Sequence, residues 1–293
     1  MKIGVYGQSN NDITIKYLKI LVDILNEKNI TIIIEEKLYG FFKKTNPDVA
    51  YQTFSSYHNL AASIDLFFSI GGDGTFLRSI TFVRDLNIPI IGINTGRLGF
   101  LATIQKEDID KAVNQILQKK YILIERSLIS VKTNKINEDI EELNFALNEI
   151  SVSRKNTASM ITVETFLDDE YLTTYWSDGL IISTPTGSTG YSLSCNGPII
   201  SPQSKNIVLT PIAPHSLSVR PLVIPDKTKI ELKIDSRSDE VLLTLDSRIT
   251  TIANTSKIFI EKCNFTIKTV QLTNQTFIKT LREKLFWGED KRN

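Results

Sequence analysis

A carboxylate flanked by glycines is the first feature of the sequence that suggests chemistry. The segment Gly71-Gly72-Asp73-Gly74-Thr75, the first glycine loop, follows an apolar stretch at 65–70 that predicts a buried strand. Glycines let the backbone turn tightly and approach a ligand, and free N–H groups at the start of a following helix can bind phosphate. Asp73 would repel phosphate unless it binds a metal or accepts a proton from an attacking hydroxyl. Asp73 is therefore a candidate general base, and a helix N-cap is its structural alternative.

A second glycine loop covers residues 94–101, with the sequence NTGRLGFL, and follows a predicted strand at 88–93. In an open parallel sheet, ligands bind at the edge where the strands end. Taken alone, the second loop would be an ordinary strand–helix connection. Together, the two loops predict a shared crevice.

Polar groups also stand out in the second half of the chain. Asn148 and Glu149 lie within a strand-like stretch at 145–153, and an amide beside a carboxylate suits a ribose diol or a base edge. An edge strand or a bulge is the alternative interpretation. The segment 177–194 runs from a strand into a loop rich in hydroxyls and glycine. Such a loop can surround a nucleotide, with the ring of Tyr191 packed on a base.

The elements that must position these groups change type near residue 121. Before it, predicted strands at 2–7, 31–34, 65–70 and 88–93 alternate with predicted helices, among them one that carries Leu18, Leu21, Val22 and Leu25, one at 75–83 and one that starts near Ile109. Alternation of this kind predicts a parallel sheet with flanking helices.

After residue 121 the helical period disappears and short strands follow one another. We predict them at 121–125, 128–132, 146–153, 161–167, 180–183, 207–209, 229–234, 241–245, 257–261 and 265–270. An amphipathic helix at 277–286 follows. The prediction is an α/β N-terminal domain over 1–125 and an all-β, sandwich-like C-terminal domain over 126–272. We expect the C-terminal helical segment, 273–293, to pack back on the first domain.

Composition excludes several classes of protein. The chain has 293 residues, with 34 Lys and Arg against 33 Asp and Glu, so it is neither a polybasic nucleic-acid binder nor an acidic disordered chain. It has no run of about 20 apolar residues that could span a bilayer. Two histidines exclude a His-rich metal site, and two distant cysteines do not predict a disulfide framework. We expect a cytoplasmic protein with no nucleic-acid or membrane partner.

Several common nucleotide-site motifs are missing from the sequence. No glycine is followed by lysine, which excludes a Walker A loop, and no GxGxxG follows the first strand. The HRD and DFG motifs of protein kinases and the GxSxG nucleophile elbow are missing as well. A nucleotide must therefore be bound by a different design.

The four segments, taken in order and spacing, resemble those of the NAD kinase family. The matching elements are GGDGT at 71–75, NxGxLGFL at 94–101, the NE pair at 148–149 and SDGLIISTPTGSTGYSLS at 177–194, and PHSLSVRPLVIP at 214–225 fits as well. The similarity runs from about residue 3 to 287. It implies an α/β domain, a β-sandwich domain and a site between them. It also implies transfer of the ATP γ-phosphoryl group to the 2′-hydroxyl of the adenosine ribose of NAD, which gives NADP.

The resemblance assigns expected roles to residues of this sequence. Asp73 would be the general base, with Gly74 lining the substrate beside it, while Asn148 and Glu149 would hold the adenosine ribose. Asp178 would contact the dinucleotide. The base would be enclosed by the segment that comprises Thr189, Gly190, Tyr191, Ser192, Leu193 and Ser194. The family also implies a divalent metal, Mg²⁺, bound with ATP, and a homo-oligomer, either a dimer or a tetramer.

Four positions depart from the family pattern. Gly190 replaces the usual alanine, a small change that should preserve backbone contacts. Ser159 and Trp176 stand where related bacterial sequences often carry His and Arg, so those contacts are not carried over. Arg248 stands where Gln is common, and we expect its guanidinium to face the dinucleotide and pair with phosphate.

Two other functions compete with an NAD kinase. One is a kinase for a lipid or another small alcohol, because related kinases share the GGDGT element. The other is a non-catalytic dinucleotide sensor that retains the pocket. The NE pair and the 189–194 segment argue against the first. Retention of Asp73 argues against the second, because a pure binder gains nothing from a carboxylate beside phosphate.

Overall fold

The structure changes from α/β to all-β near Tyr121, where the helical period of the sequence ends. The computed structural model describes residues 1–8, 11–60, 64–135, 138–155, 159–273 and 275–287. The chain forms two compact units, Met1–Glu125 with Ile267–Asn293, and Arg126–Thr266. The predicted fold class, an α/β unit and a β-rich unit, is confirmed.

Parallel strands and covering helices build the first unit. Its core contains Leu18, Leu21 and Leu25, which recur at helical spacing on one face of the first helix and are fully buried. The elements are β1 (Lys2–Gly7), α1 (Asp12–Glu27), β2 (Thr31–Glu35), α2 (Glu36–Thr45), β3 (Gln52–Phe54), β4 (Leu66–Ile70), α3 (Asp73–Val83), β5 (Ile90–Asn94), β6 (Ile104–Gln105) and α4 (Ile109–Leu117). The sheet order β5-β4-β1-β2-β3 is parallel throughout, and β6 pairs parallel with β5.

Antiparallel strands with alternating apolar residues build the second unit. In order along the chain come β7 (Tyr121–Thr133), α5 (Glu138–Glu141), β8 (Phe145–Ala146), β9 (Glu149–Arg154), β10 (Ile161–Leu167), β11 (Glu170–Ser177), β12 (Gly179–Ser183), α6 (Tyr191–Ser194), β13 (Asn206–Ile212), β14 (Leu222–Pro225), β15 (Ile230–Asp235), β16 (Glu240–Leu245), β17 (Arg248–Ala253) and β18 (Lys257–Leu272). One sheet has the order β14-β13-β12-β9-β16-β17, and another contains β11-β10-β15-β18. Side chains from both sheets share one apolar core.

The chain returns to the first unit at the end of β18, where Thr269 pairs with Ile90 of β5. The last helix, α7 (Phe277–Leu285), follows, with Thr276 as its N-cap. The Thr276 hydroxyl accepts a hydrogen bond from the N–H of Lys279 at 3.1 Å. Among the described residues, no helix has the length and apolar character needed to cross a membrane.

Several predicted element boundaries are wrong. The strands predicted at 121–125 and 128–132 are one strand, β7, and those at 257–261 and 265–270 are one strand, β18. Polar residues between each pair suggested breaks, but a strand with a solvated face accepts polar side chains without losing its backbone pairing. The helix predicted at 75–83 begins at Asp73.

Eight elements were not predicted at all: α2, β3, β6, α5, β11, α6, β14 and β17. Helix α2 starts directly after β2 with no turn residue between them and contains Gly40, so the sequence gives little sign of it. Its start is fixed by Glu35, whose carboxylate accepts from the N–H of Leu38 at 2.8 Å. Leu38 and Phe42 then form its buried face.

Candidate active site

The two glycine loops of the first unit are in direct contact through Asp73. Oδ1 of Asp73 accepts hydrogen bonds from the N–H groups of Leu101 at 3.0 Å and Ala102 at 2.9 Å. Oδ2 accepts from the N–H of Phe100 at 2.8 Å. The structure therefore brings together the two loops that the sequence predicted to share a crevice.

Asn94 and Gly99 shape the second glycine loop so that it can bind Asp73. Oδ1 of Asn94 accepts from the N–H of Gly96 at 2.7 Å, and its amide nitrogen donates to the carbonyl of Arg97. A Cβ atom at Gly99 would lie 2.0 Å from Oδ1 of Asp73, so no larger residue fits there without displacing the carboxylate. Glycine at position 99 is thus required by the close approach of Asp73.

One lone-pair direction of the Asp73 carboxylate is left over by its three backbone hydrogen bonds. An ionised carboxylate offers about four lone-pair directions, and the three backbone N–H groups use two on Oδ1 and one on Oδ2. Asp73 is half-buried at the first position of α3, whose N-cap, Gly72, supplies no capping side chain. The site therefore combines a proton acceptor at Oδ2 with uncapped helix N–H groups that attract anions.

The backbone leaves the strand ladder at Leu147 and Asn148 in the second unit. Strand β8 ends at Ala146 and β9 begins at Glu149, so the continuous strand predicted at 146–153 is wrong. The carboxylate of Asp246 takes the N–H groups of this bend: Oδ2 accepts from Leu147 at 2.9 Å, and Oδ1 accepts from Asn148 at 2.8 Å and from Glu149 at 3.2 Å. Binding one carboxylate to three successive N–H groups is what breaks the strand.

The bend leaves two buried oxygens available. Oδ1 of Asn148 and Oε2 of Glu149 are buried and have no hydrogen-bond partner within the described part of the chain. Unpartnered buried polar atoms are rare in native proteins, and a bound water, ion or ligand is one explanation for them. These two lie on adjacent residues.

Burial changes the protonation of Glu149. Burial, together with the nearby charge of Asp246, raises the pKa of this carboxyl from 4.5 to about 8, although a hydrogen bond from the backbone N–H of Tyr191 opposes the rise. Burial also raises the pKa of Asp246, against its three backbone N–H donors and the charge of Arg248. Glu149 therefore holds a proton near neutral pH and can both donate and accept a hydrogen bond.

Most hydroxyls of the 183–192 segment stabilise the segment itself. Thr184 donates to the carbonyl of Leu147 at 2.5 Å, Ser188 to that of Pro185 at 2.7 Å and Thr189 to that of Thr186 at 3.3 Å. The bond from Thr184 docks the loop against the bend, and the other two hold the loop together internally. At Gly187 a Cβ atom would lie 2.2 Å from the carbonyl oxygen of Asn148, so this approach also requires glycine.

The predicted base-enclosing residues differ in what they present to solvent. Ser192 is buried and its hydroxyl is 2.8 Å from that of Thr210. Tyr191 is 45% exposed, Leu193 is half-buried and Ser194 is exposed. Gly190 lies beside the unpartnered oxygen, since a Cβ atom there would be 3.3 Å from Oε2 of Glu149.

Asp178 and Arg248 both have partners in the second unit. The guanidinium of Arg154 holds Asp178 with two bonds, Nε to Oδ1 at 3.0 Å and Nη2 to Oδ2 at 3.1 Å. The guanidinium of Arg248 donates to the carbonyls of Leu143 and Phe145 and lies 5.3 Å from the centre of the Phe145 ring. The expected contacts of Asp178 with the dinucleotide and of Arg248 with phosphate stay predictions.

Ser159 and Trp176 line a surface pocket of the second unit together with His215. The rings of Trp176 and His215 are 5.8 Å apart at 76°, and the N–H of His215 donates to the carbonyl of Trp176 at 2.8 Å. Two of the four positions that depart from the family pattern, Ser159 and Trp176, thus line the same pocket.

Asp246 was missed by sequence reasoning. An Asp between two strands is an ordinary turn residue, and its φ of 53° fits that role. Nothing in the sequence connects it with residues 147–149, which lie almost 100 positions earlier. Within the residues that the structure describes, no cluster of three or more His, Cys, Asp or Glu side chains could hold a metal ion.

The two glycine loops, with the buried amide and carboxylate, fit a phosphotransferase that acts on a nucleotide. A family model for the ATP-NAD kinase N-terminal domain matches residues 3–121, and one for the ATP-NAD kinase C-terminal domain matches residues 147–272. The chain belongs to the ATP-NAD kinase family. Its function is the ATP-dependent phosphorylation of NAD, which the sequence resemblance predicted.

Two relatives named NAD kinase match this chain over its whole length. The NAD kinase of Christiangramia forsetii is 54% identical over 294 residues, and that of Flavobacterium psychrophilum is 52% identical over 295 residues. In both comparisons the match covers the whole of each chain. These relatives favour the dinucleotide kinase over the lipid or small-alcohol kinase and over the sensor.

Two solved structures share the fold at lower identity. Yeast NADH kinase complexed with NADH superposes with a TM-score of 0.88 at 24% identity, covering 100% of this chain and 89% of the yeast chain. An NAD kinase from Archaeoglobus fulgidus in complex with ATP gives a TM-score of 0.73 at 24% identity, covering 97% and 99%.

Proposed function

We propose that the chain phosphorylates the 2′-hydroxyl of the adenosine ribose of NAD, and that Asn148 and Glu149 hold this ribose. The observation that carries the proposal is the pair of buried, unpartnered oxygens, Oδ1 of Asn148 and Oε2 of Glu149. A ribose diol supplies two O–H groups on adjacent carbons, which match two oxygens on adjacent residues. Each buried polar atom left unpaired costs about 1–3 kcal/mol, and a bound ribose recovers that cost.

The proton on Glu149 suits this role. A pKa of about 8 keeps the carboxyl neutral near pH 7, so it does not repel the pyrophosphate of a dinucleotide. The neutral acid also offers one O–H donor in addition to its acceptor oxygen. Specificity for a hydroxylated sugar follows, because a ligand without hydroxyls leaves both oxygens unpaired.

Asp73 is the proposed general base. The 2′-hydroxyl oxygen attacks the γ-phosphorus, its proton passes to Oδ2 of Asp73, and the bond from the γ-phosphorus to the ADP oxygen breaks. Three backbone N–H groups fix the carboxylate so that its open lone pair points in one direction. Gly74 is exposed beside it and has no heavy atom within 4 Å of a would-be Cβ, which leaves room for substrate.

ATP and a divalent metal complete the reaction. The family uses ATP, typically with a divalent metal, and we propose Mg²⁺. Because no cluster of three or more His, Cys, Asp or Glu side chains occurs in the described chain, the ion would be held chiefly by the ATP phosphates. Bound there, Mg²⁺ would neutralise charge on the transferring phosphoryl group. The uncapped N-terminus of α3 would add N–H donors for the phosphates.

Tyr191 is the proposed stacking surface for the base. Its ring is about half exposed, directly after Gly190 and close to Glu149. Leu193 and Ser194 would complete the enclosure, while Thr189 and Ser192 would shape it through their internal bonds. Binding of NADH by the yeast relative and of ATP by the archaeal one supports a dinucleotide and ATP as ligands.

Family resemblance also supports a cytoplasmic homo-oligomer, a dimer or a tetramer. Sedimentation equilibrium of the purified protein tests the assembly. A monomer at micromolar concentration would contradict it.

The decisive experiment measures NADP formed from NAD and Mg-ATP with an NADP-specific dehydrogenase. The parent should form NADP, and Asp73→Asn should lower kcat by about 10²–10⁴-fold while NAD still binds, since a positioned proton acceptor contributes a factor of this size. Asp23→Asn, an exposed carboxylate of α1, is the control and should keep full activity. Glu149→Ala should weaken NAD binding more than it lowers kcat. An Asp73→Asn variant that folds and keeps full activity, or an unchanged NAD affinity in Glu149→Ala, would contradict the assigned roles.

A further inference from the structure

The C-terminal segment contacts the chain at and just after the second glycine loop. Thr103 and Gln275 form a two-sided pair: the Thr103 hydroxyl donates to Oε1 of Gln275 at 2.9 Å, and Nε2 of Gln275 donates to the Thr103 carbonyl at 2.7 Å. The ring of Phe277, at the start of α7, lies 6.3 Å from that of Phe100 at 43°. The loop that binds Asp73 is therefore anchored by residues more than 170 positions later in the sequence.

Lys284, near the end of α7, reaches the loop itself. Its ammonium donates to the carbonyl of Leu98 and lies 6.0 Å from the centre of the Phe100 ring. A hydrogen bond from an ammonium is stronger than one between neutral groups, and Lys284 is half-buried. Leu98 is two residues before Phe100, whose N–H is the donor to Oδ2 of Asp73.

We propose that Lys284 is a positioning residue for the general base. It fixes the Leu98 carbonyl, so that the N–H groups of residues 100–102 stay aligned on the Asp73 carboxylate at 2.8–3.0 Å. The inference rests on the proposed role of Asp73. A misplacement of about 1 Å at a reacting group can cost on the order of a hundredfold in rate, so a contact outside the site can control turnover.

Lys284→Met tests the proposal, because methionine keeps the apolar stem and removes the ammonium. We expect kcat to fall about tenfold while the KM for NAD changes less than twofold. Lys284→Arg, which keeps a charged donor, should retain most of the activity. Lys279→Met is the matched control on the same helix, since Lys279 is exposed and pairs only loosely with Glu283, at 4.0 Å. It should leave kcat unchanged.

A double variant separates positioning from general stability. If Lys284 acts through Asp73, Lys284→Met added to Asp73→Asn should cause no further loss of the residual rate. Hydrogen exchange supplies a readout that does not depend on activity: the amides of residues 100–102 should exchange faster in Lys284→Met and at the parent rate in Lys279→Met. Should Lys284→Met not fold, Lys284→Gln takes its place in each measurement.

The outcomes distinguish this inference from the proposed function. A parent that forms no NADP, or an Asp73→Asn variant that stays active, would overturn the role of Asp73 and this inference with it. An active parent with an inactive Asp73→Asn, but with unchanged kcat and unchanged 100–102 exchange in Lys284→Met, would overturn the inference alone. A tenfold further loss in the double variant would do the same.

Discussion

Glu149→Gln should make the protein progressively more stable than the parent as the pH rises. The folded state holds the Glu149 proton up to about pH 8, whereas the unfolded chain releases it near pH 4.5. Between these values the folded state binds more protons, so the parent's free energy of unfolding falls as pH increases. Glutamine has the same shape and no proton to lose, so the variant does not lose stability through ionisation at this position.

The magnitude follows from the two pKa values. A difference of one in pKa is worth about 1.4 kcal/mol, so ionisation of the buried carboxyl destabilises the folded parent by up to about 5 kcal/mol above pH 8. Part of that cost is already present at pH 6. Between pH 6 and pH 9 the stability advantage of Glu149→Gln over the parent should therefore grow by about 2–3 kcal/mol.

Urea unfolding of both proteins at pH 6 and pH 9 measures this growth, because the titrating groups that do not interact with Glu149 are common to the two proteins and cancel. Glu164→Gln is the control, a half-buried glutamate of the same unit whose side chain is 43% exposed and forms only a loose pair with Lys233 at 3.8 Å. Its difference from the parent should not change with pH. An advantage of Glu149→Gln that is the same at both pH values would show that Glu149 is already ionised at pH 6, which would refute the argument from burial.

Two further substitutions test the geometry that holds each loop. Asp246→Asn should destabilise the protein by about 2–4 kcal/mol in urea unfolding and weaken NAD binding, because an amide cannot accept hydrogen bonds from all three N–H groups of residues 147–149. Asp239→Asn, which changes an exposed carboxylate, should have neither effect. Equal stability of the two variants would contradict the role of Asp246. Gly99→Ala should lower kcat at least 100-fold, because its Cβ would lie 2.0 Å from Oδ1 of Asp73. Gly96→Ala, whose Cβ would be 3.9 Å from its nearest neighbour, should stay within threefold of the parent, and similar rates for the two alanine variants would count against the contact.

Local patterns predicted the fold where the chain follows simple periods. The α1 face of Leu18, Leu21 and Leu25 and the alternating residues of β10 specify their elements because each needs only neighbours in sequence. Helix α2 was not predicted because it starts directly after β2, with no turn residue between them. The long strands β7 and β18 were divided because polar residues on their solvated faces resemble turns.

In the candidate site, the residues that could be predicted stand in local motifs, and the residues that were missed make only distant contacts. Asp73, Asn148 and Glu149 were found because each stands in a short motif whose residue types suggest chemistry. Asp246 and Lys284 were not found, since each acts on backbone atoms about 100 to 186 positions away. A backbone N–H or C=O has no sequence signature, so such supports become visible only in three dimensions.

The sequence separation of these two supports also has a consequence for how the protein folds. Asp246 closes the bend at Leu147 from 99 positions away, and Lys284 reaches Leu98 from 186 positions away. Contacts of such long range form late, because the loop-closure entropy must be overcome before they add stability. During refolding, helices and sheets should therefore appear before either loop is fixed. Recovery of enzyme activity should lag behind recovery of the circular dichroism signal, and partly folded chains should be inactive even when they contain native secondary structure.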